Sequence, residues 1–377
     1  MTQLTHKPRL LRRVRRAVVK VGSNVLASDR GLRPARIRAL AREVAELCDS
    51  GRQIVVVSSG AVAAGAARLP ARRPGIEWRQ AAAAVGQPTL MAAWGRALAR
   101  RGRTAAQVLL TQGDVTDRRR WLNARHTFRA LLARGVVPIV NENDTVAIDE
   151  LKLGDNDNLS ALTATLIEAD LLVILSDVDG LYDADPRRDP AARLVPLGRA
   201  RDPGLRAIAG PAGSAAGTGG MTSKVAAAAT AAAAGIPTVI ASGARTGILA
   251  AVFDPAVEVG TLLLADGDRL AHRKHWIAHT LRPRGTLHLD AGAERALADG
   301  GRSLLPSGIR AVEGIFGPGD CVRCVGPQGR EVARGLVAYG AAEIDRIKGA
   351  HTREIARLLG WKAGDEVIHR DDLVVLA

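Results

Sequence analysis

The sequence predicts an α/β fold: a mostly parallel sheet sandwiched by helices, followed by a small β-rich domain. Three observations carry this reading. Short runs such as AVVKV (17–21), VVPIV (136–140) and LLVILS (171–176) are apolar apart from Lys20 and the closing Ser176, and do not alternate. That is the pattern of strands covered on both faces. Between them lie stretches whose apolar residues recur at helical spacing. After about residue 265 the rhythm changes to short strand-like runs cut by glycine turns.

The first strand, 17–21, runs into Gly22-Ser23-Asn24. A helix follows, with Pro34 near its start and Gly51 just past its end. Ile37, Leu40, Val44 and Leu47 share one of its faces. A second strand, 54–57, ends in Ser58-Ser59-Gly60. Alternation then predicts helix 79–101, strand 107–110, helix 118–134, strand 136–140, helix 158–168, strand 171–176, helix 221–234 and strand 237–241. From 284 onward GTLHL, GIRAVEGIF, GDCVRCV and GREVARGLVAYG predict a small, partly barrel-like β domain. The expected organisation is a basic extension over 1–15, an α/β domain over 16–265, a polar linker over 266–283 and the β-rich domain over 284–377.

The 377 residues carry a formal net charge of +15, which raises a nucleic-acid reading. The distribution weakens it. Residues 1–150 hold 27 basic and 11 acidic side chains, while 151–280 and 281–377 are each within two charges of neutral. The arginines of the first part are scattered along helical patterns, as on a solvated surface. The three cysteines, Cys48, Cys321 and Cys324, fit a reduced cytoplasmic protein without a disulfide framework. No signal-peptide core and no apolar span of about 20 residues appears, so no membrane association is expected.

In a parallel sheet covered by helices, ligands bind beyond the carboxyl ends of the strands. Four strand ends stand out. Lys20 precedes a glycine turn, and an ammonium there can reach a phosphate. It can also simply snorkel from a strand edge. The chain has seven lysines against 46 arginines, so a lysine inside an apolar strand is conspicuous. Ser59-Gly60 reads by itself as a strand-to-helix turn. NEND (141–144) and GDNDN (154–158) cluster acceptors and amide donors that can hold an ammonium and a carboxylate, or a metal ion. Turn and helix-cap chemistry accounts for one such cluster more easily than for two. SDVDGLY (176–182) is joined by GTGGMTSK (217–224), a glycine-rich loop opening a helix. Its N–H groups and dipole suit phosphate, though the spacing is not that of a Walker A motif.

Lys20-Val-Gly-Ser, Ser59-Gly60, NENDTV, GDNDNLSAL, LSDVDGLYDADP and GTGGMTSK occur in that order. Together they resemble the amino acid kinase family, in its glutamate-phosphorylating branch, over about residues 16–265. Ser176 is the one departure, standing where Thr is usual. Residues 284–377 resemble a PUA domain. The resemblance implies ATP-dependent phosphorylation of the γ-carboxylate of glutamate, the first step of proline biosynthesis, with ATP and Mg²⁺. It implies Lys20 and Lys224 as the pair that neutralises the transferring phosphoryl group, and Asp157 as the carboxylate that orients them. It places glutamate at Ser59, Asp144 and Asn156. It places ATP at Lys20, Ser176, Asp177, Thr218, Gly219, Gly220, Met221, Thr222, Ser223 and Lys224. Feedback inhibition by proline and a homodimer or homotetramer are implied as well.

The chemistry agrees with such a site. A carboxylate nucleophile, with a pKa of about 4.3, is ionised at neutral pH and needs no general base. Phosphoryl transfer then depends on positioning and on positive charge. No dedicated metal ligands are expected, because Mg²⁺ commonly rides on substrate phosphates. The lone Cys321-Val-Arg-Cys324 pair lacks the partners of a zinc site, and residues three apart on a strand face opposite sides. His272, His275 and His279 read as part of a solvated linker. PUA domains often bind RNA, which offers a rival reading, but near-neutral charge and few aromatics over 281–377 argue against RNA binding there.

Overall fold

The computed structural model describes residue 11 and residues 14–28, 31–69, 75–146, 156–186, 188–209, 220–265 and 283–376. The chain divides into two units, Met1–Asp266 and Gly267–Ala377. Most of the predicted basic extension, nearly all of the linker and its three histidines lie outside the described residues.

The first unit is built on strands β1 (Arg16–Val21), β4 (Gln53–Ser58), β5 (Ala105–Leu110), β6 (Val137–Glu142), β7 (Leu171–Ser176), β8 (Leu197–Arg199), β9 (Thr238–Ser242) and β10 (Thr261–Leu264). The strands β2 (Ala27–Ser28) and β3 (Gly31–Leu32) form a separate small hairpin. The main sheet has the order β5-β6-β4-β1-β7-β9-β10-β8. All its pairings are parallel except β9 with β10. The sequence pattern located the long parallel strands to within one or two residues. It did not reveal β8 or β10, whose three and four residues are too short to show a period.

Side chains alternate along β1, and the alternation divides the core. Val19 and Val21 join one cluster with Ile37, Leu40, Leu90 and Trp94. Val18 points the other way, into a cluster with Leu159, Ala161, Ala228 and Phe128. Lys20 therefore shares the face of Val18, where helices Asn156–Leu166 and Met221–Ala233 pack. This placement decides the site.

The helix Ile76–Ala99 begins earlier than the 79–101 pattern suggests. It packs closely on a six-residue helix, Ala61–Ala66, which follows the strand-to-helix turn at Ser59-Gly60. A Cβ on Gly65 would lie 1.7 Å from the carbonyl oxygen of Ala82, and one on Gly86 would lie 1.9 Å from that of Ala61. Backbone touches backbone, and only glycine fits at both places.

The second unit holds a five-stranded sheet of β11 (Gly285–Leu289), β12 (Ile309–Gly314), β13 (Cys321–Val325), β14 (Glu331–Leu336) and β15 (Leu373–Val375), in the order β12-β11-β13-β14-β15. Its own core gathers Leu287, Val322, Cys324, Tyr339, Ile344 and Ile368. Cys321 faces the opposite side and packs with Leu336. Burial pushes the Cys324 thiol up to about 12, as expected of an inert core thiol.

Gly86→Ala is expected to destabilise the protein by about 2–3 kcal/mol or more, because the methyl must displace a main-chain oxygen. Gly95→Ala, in the same helix with open space around it, is expected to be neutral or stabilising by up to about 1 kcal/mol. Denaturant unfolding of the two variants side by side checks this.

Candidate active site

Lys20 occupies the fifth position of β1, a strand paired on both sides, by β4 and β7. Its side chain is almost wholly buried. A buried ammonium needs a counter-charge. Asp157, in the first turn of helix Asn156–Leu166, supplies it, with Oδ1 2.5 Å from Lys20 Nζ. The second carboxylate oxygen is 3.2 Å from Lys224 Nζ and 2.8 Å from Ser223 Oγ. Lys224 also reaches the Gly220 carbonyl at 3.4 Å. One fully buried carboxylate thus bridges two lysines that lie 204 positions apart in the chain.

Burial alone would raise the Asp157 pKa. The charges of Lys20 and Lys224, with hydrogen bonds from Lys20 and Ser223, overcome that and hold it at about 2. The start of its own helix also favours negative charge. The bridge carries one positive charge in excess, in a region shielded from water.

A second group adjoins the first, because Asn156 precedes Asp157. The Asn156 Nδ2 donates to Ser59 Oγ at 2.7 Å and to Asn141 Oδ1 at 3.0 Å. Asn141 Nδ2 donates in turn to Gln87 Oε1 at 2.9 Å. Ser59 is held where β4 ends, its N–H bonded to the Val21 carbonyl, and Gly60 behind it turns the chain at φ +112°. Below it, Trp94 donates its indole N–H to Ser58 Oγ at 2.9 Å. Asp144 lies in the turn after β6, where burial raises its pKa and the charge of Arg79 opposes the rise.

A third group forms at the end of β7. Ser176 accepts the Gly243 N–H through its carbonyl, and its hydroxyl donates to Asp177 Oδ1 at 3.0 Å. Asn24 Nδ2 donates to Asp177 Oδ2 at 2.8 Å. Burial opposes the charge on Asp177, but the bonds from Asn24 and Ser176 lower its pKa on balance. Gly22 comes close here. A Cβ on it would sit 3.3 Å from the Leu175 carbonyl and 3.7 Å from Lys20 Nζ. The helix Met221–Ala233 opens at Gly220 without a side-chain cap, and the positive end of its dipole favours an anion there. Thr222 turns its hydroxyl to the Ala209 carbonyl at 3.3 Å.

Of the residues singled out in the sequence, Lys20, Asp157, Ser223 and Lys224 meet directly. Ser59 and Asn156 meet each other, and Ser176 meets Asp177. Gly220 joins the first group through its carbonyl, which accepts from Ser223 Oγ at 2.9 Å and from Lys224 Nζ at 3.4 Å. Thr218 and Gly219 lie outside the described residues. Asn24 and Asn141 stood inside the noted motifs without a role. Gln87 gave no signal, being one of two glutamines in an alanine-rich helix. Among the described residues, no three His, Cys, Asp or Glu gather as a metal site. None of the described helices is long and apolar enough to cross a membrane.

Strand ends that gather two lysines on one carboxylate, beside an uncapped helix start, suit phosphoryl transfer. Residues 15–242 match the model of the amino acid kinase family, and the chain belongs to that family. Residues 285–359 match the PUA domain. The glutamate 5-kinase of Trichlorobacter lovleyi is 52% identical over 370 residues, covering 97% of this chain and 98% of the relative. That of Geobacter sulfurreducens is 52% identical, covering 97% and 99%. Among solved structures, a carbamate kinase from Giardia lamblia bound to AMP-PNP aligns at 15% identity with a TM-score of 0.49, over 67% of this chain and 99% of that one.

The folded value of Asp157 lies below the usual 3.8 of a free aspartate. It therefore contributes stability that is present above about pH 4 and lost as pH falls toward 2. Asp157→Asn leaves two lysines facing each other and is expected to cost about 3–5 kcal/mol at neutral pH. It should also flatten the acid limb between pH 4 and 2. Urea unfolding over a pH series measures both.

Proposed function

We propose that the chain transfers the terminal phosphoryl group of ATP to the γ-carboxylate of L-glutamate, giving L-glutamyl 5-phosphate, the reaction that opens proline biosynthesis. The observation that carries this reading is the Lys20–Asp157–Lys224 bridge, in a chain about half identical to glutamate 5-kinases along 97% of its length.

The nucleophile is a γ-carboxylate oxygen, already ionised at neutral pH. It forms a bond to the terminal phosphorus as the bond from that phosphorus to the bridging oxygen breaks. The electron pair leaves with ADP, and no proton changes hands. Two anions must approach, so positive charge is the main requirement. Lys20 and Lys224 supply it from opposite sides of Asp157, which keeps them apart and aimed. Mg²⁺ enters with ATP as the substrate complex.

Ser59, Asn156 and Asp144 bind glutamate in this reading. Ser176, Asp177 and the loop from Thr218 to Lys224 bind the nucleotide. The kinase domain runs over 16–265, with a linker to 283 and a PUA-like domain to 377. A cytoplasmic enzyme, a homodimer or homotetramer, and inhibition by proline complete the proposal.

With ATP, Mg²⁺ and hydroxylamine, hydroxamate is expected from glutamate and not from N-acetylglutamate or aspartate. No hydroxamate from glutamate with folded protein would overturn the reading. Lys20→Ala and Lys224→Ala are each expected to lower kcat about 10²–10³-fold, the loss typical when a group that stabilises developing charge is removed. Asp144→Ala is expected to raise KM for glutamate about tenfold or more while KM for ATP stays within about twofold, since one charge-assisted hydrogen bond is lost. Steady-state kinetics with each substrate varied in turn decide both.

A further inference from the structure

We propose that Gln87 is a positioning residue that fixes the polarity of the amino-acid site. The inference rests on the placement of glutamate at Ser59 and Asn156. An amide has a donor end and an acceptor end, and a site that reads a zwitterion must present the correct end to each charge.

The bonds run in one direction along the three amides, and Gln87 Nε2 at the far end is buried without a hydrogen-bond partner. Both hydrogens of Asn156 Nδ2 are committed, one to Ser59 Oγ at 2.7 Å and one to Asn141 Oδ1 at 3.0 Å. Asn141 can offer its oxygen only while its own Nδ2 points elsewhere. That Nδ2 is held by Gln87 Oε1 at 2.9 Å. Gln87 is itself buried in the helix Ile76–Ala99. The order runs from Gln87 through Asn141 and Asn156 to Ser59, every amide pointing the same way.

Two consequences appear at the end of this relay. Asn156 Oδ1 is buried and has no hydrogen-bond partner in the protein. A buried, unpartnered acceptor is costly, and an N–H donor from a ligand would satisfy it. Ser59 Oγ, having accepted from Asn156, retains its own proton for donation. An acceptor and a donor therefore stand next to each other. The geometry assigns the α-ammonium to Asn156 Oδ1 and the α-carboxylate to the Ser59 hydroxyl. Were Asn141 to flip, Asn156 would face an amide donor and be driven to flip as well, turning its NH₂ toward the ammonium.

The test compares L-glutamate with glutarate, which keeps both carboxylates and lacks the ammonium. Wild-type protein is expected to favour glutamate in kcat/KM. Gln87→Met, similar in length but unable to accept the bond, is expected to lose that preference about tenfold or more, the scale of one buried hydrogen bond. The loss should fall on KM for glutamate, with kcat within about threefold and KM for ATP unchanged. Gln87→Glu keeps an oxygen for Asn141 and is expected to retain the preference within about threefold. A merely structural role for Gln87 would lower both substrates together. A folded Q87M with an unchanged glutamate-to-glutarate ratio overturns the proposal. So does a folded Q87E that loses the preference, which serves where Q87M does not fold. Equal wild-type use of both substrates overturns it too and leaves the kinase reading intact. Wild-type failure on glutamate removes the kinase reading itself, before any variant is made.

Discussion

The arrangement of the first unit depends on one carboxylate that cannot reach water. Asp157 is fully buried between two ammonium groups, and each member of the trio is tolerable only because the others are present. Remove the lysines and a bare carboxylate is left in a low-dielectric interior. Remove the carboxylate and two like charges face each other. The three come from a central strand, from the start of one helix and from the first turn of another. The electrostatic requirement therefore ties together elements that sequence keeps far apart. It also places the helix start so that Asn156 faces the serine turn after β4. Charge neutralisation at Asp157 and the Asn156 bonds to Ser59 and Asn141 are thus set by the same helix terminus.

Much of this was legible beforehand, for identifiable reasons. A strand buried on both faces must be apolar at every position, so β1, β4, β6 and β7 announce themselves. Lys20 is conspicuous because it interrupts such a run. The doubled Asn/Asp clusters exceed what turns need, and that excess marks the ends of β6 and the following helix. What escaped has equally physical causes. Gln87 lies in an alanine-rich helix, where one amide looks like any surface residue until its burial is known. Asn24 acts through the tertiary approach of β1 and β7, which no local pattern encodes. The strands β8 and β10 are shorter than the period that would reveal them. In the second unit, the glycine-punctuated runs gave the strands, but helices such as Ala291–Gly300 and Ala341–Ile347 are too short to stand out among them.

The second unit keeps its own apolar core. Its two cysteines sit on opposite faces of β13, one among core residues and one against Leu336, as strand alternation requires. The spacing that invites a metal reading in sequence is thus a by-product of a two-sided strand. Tyr339 shows how a small core manages a polar atom: its hydroxyl accepts the Ala363 and Gly364 N–H groups at 3.1 and 3.0 Å, and its ring lies 5.6 Å from that of Trp361. With so few aromatics in the chain, one such residue organises a whole loop.

The contact between Gly65 and Gly86 has a genetic side. This chain is rich in alanine, and a glycine codon becomes an alanine codon through one base change at its second position. At most helical sites that drift is harmless or helpful, because alanine is the better helix former. At these two it would drive a methyl into a carbonyl oxygen and tilt the short helix that starts directly after Ser59 and Gly60. Mutational supply and structural tolerance therefore pull in opposite directions at this contact. The pair should persist as islands of glycine in related chains whose other helices have turned to alanine.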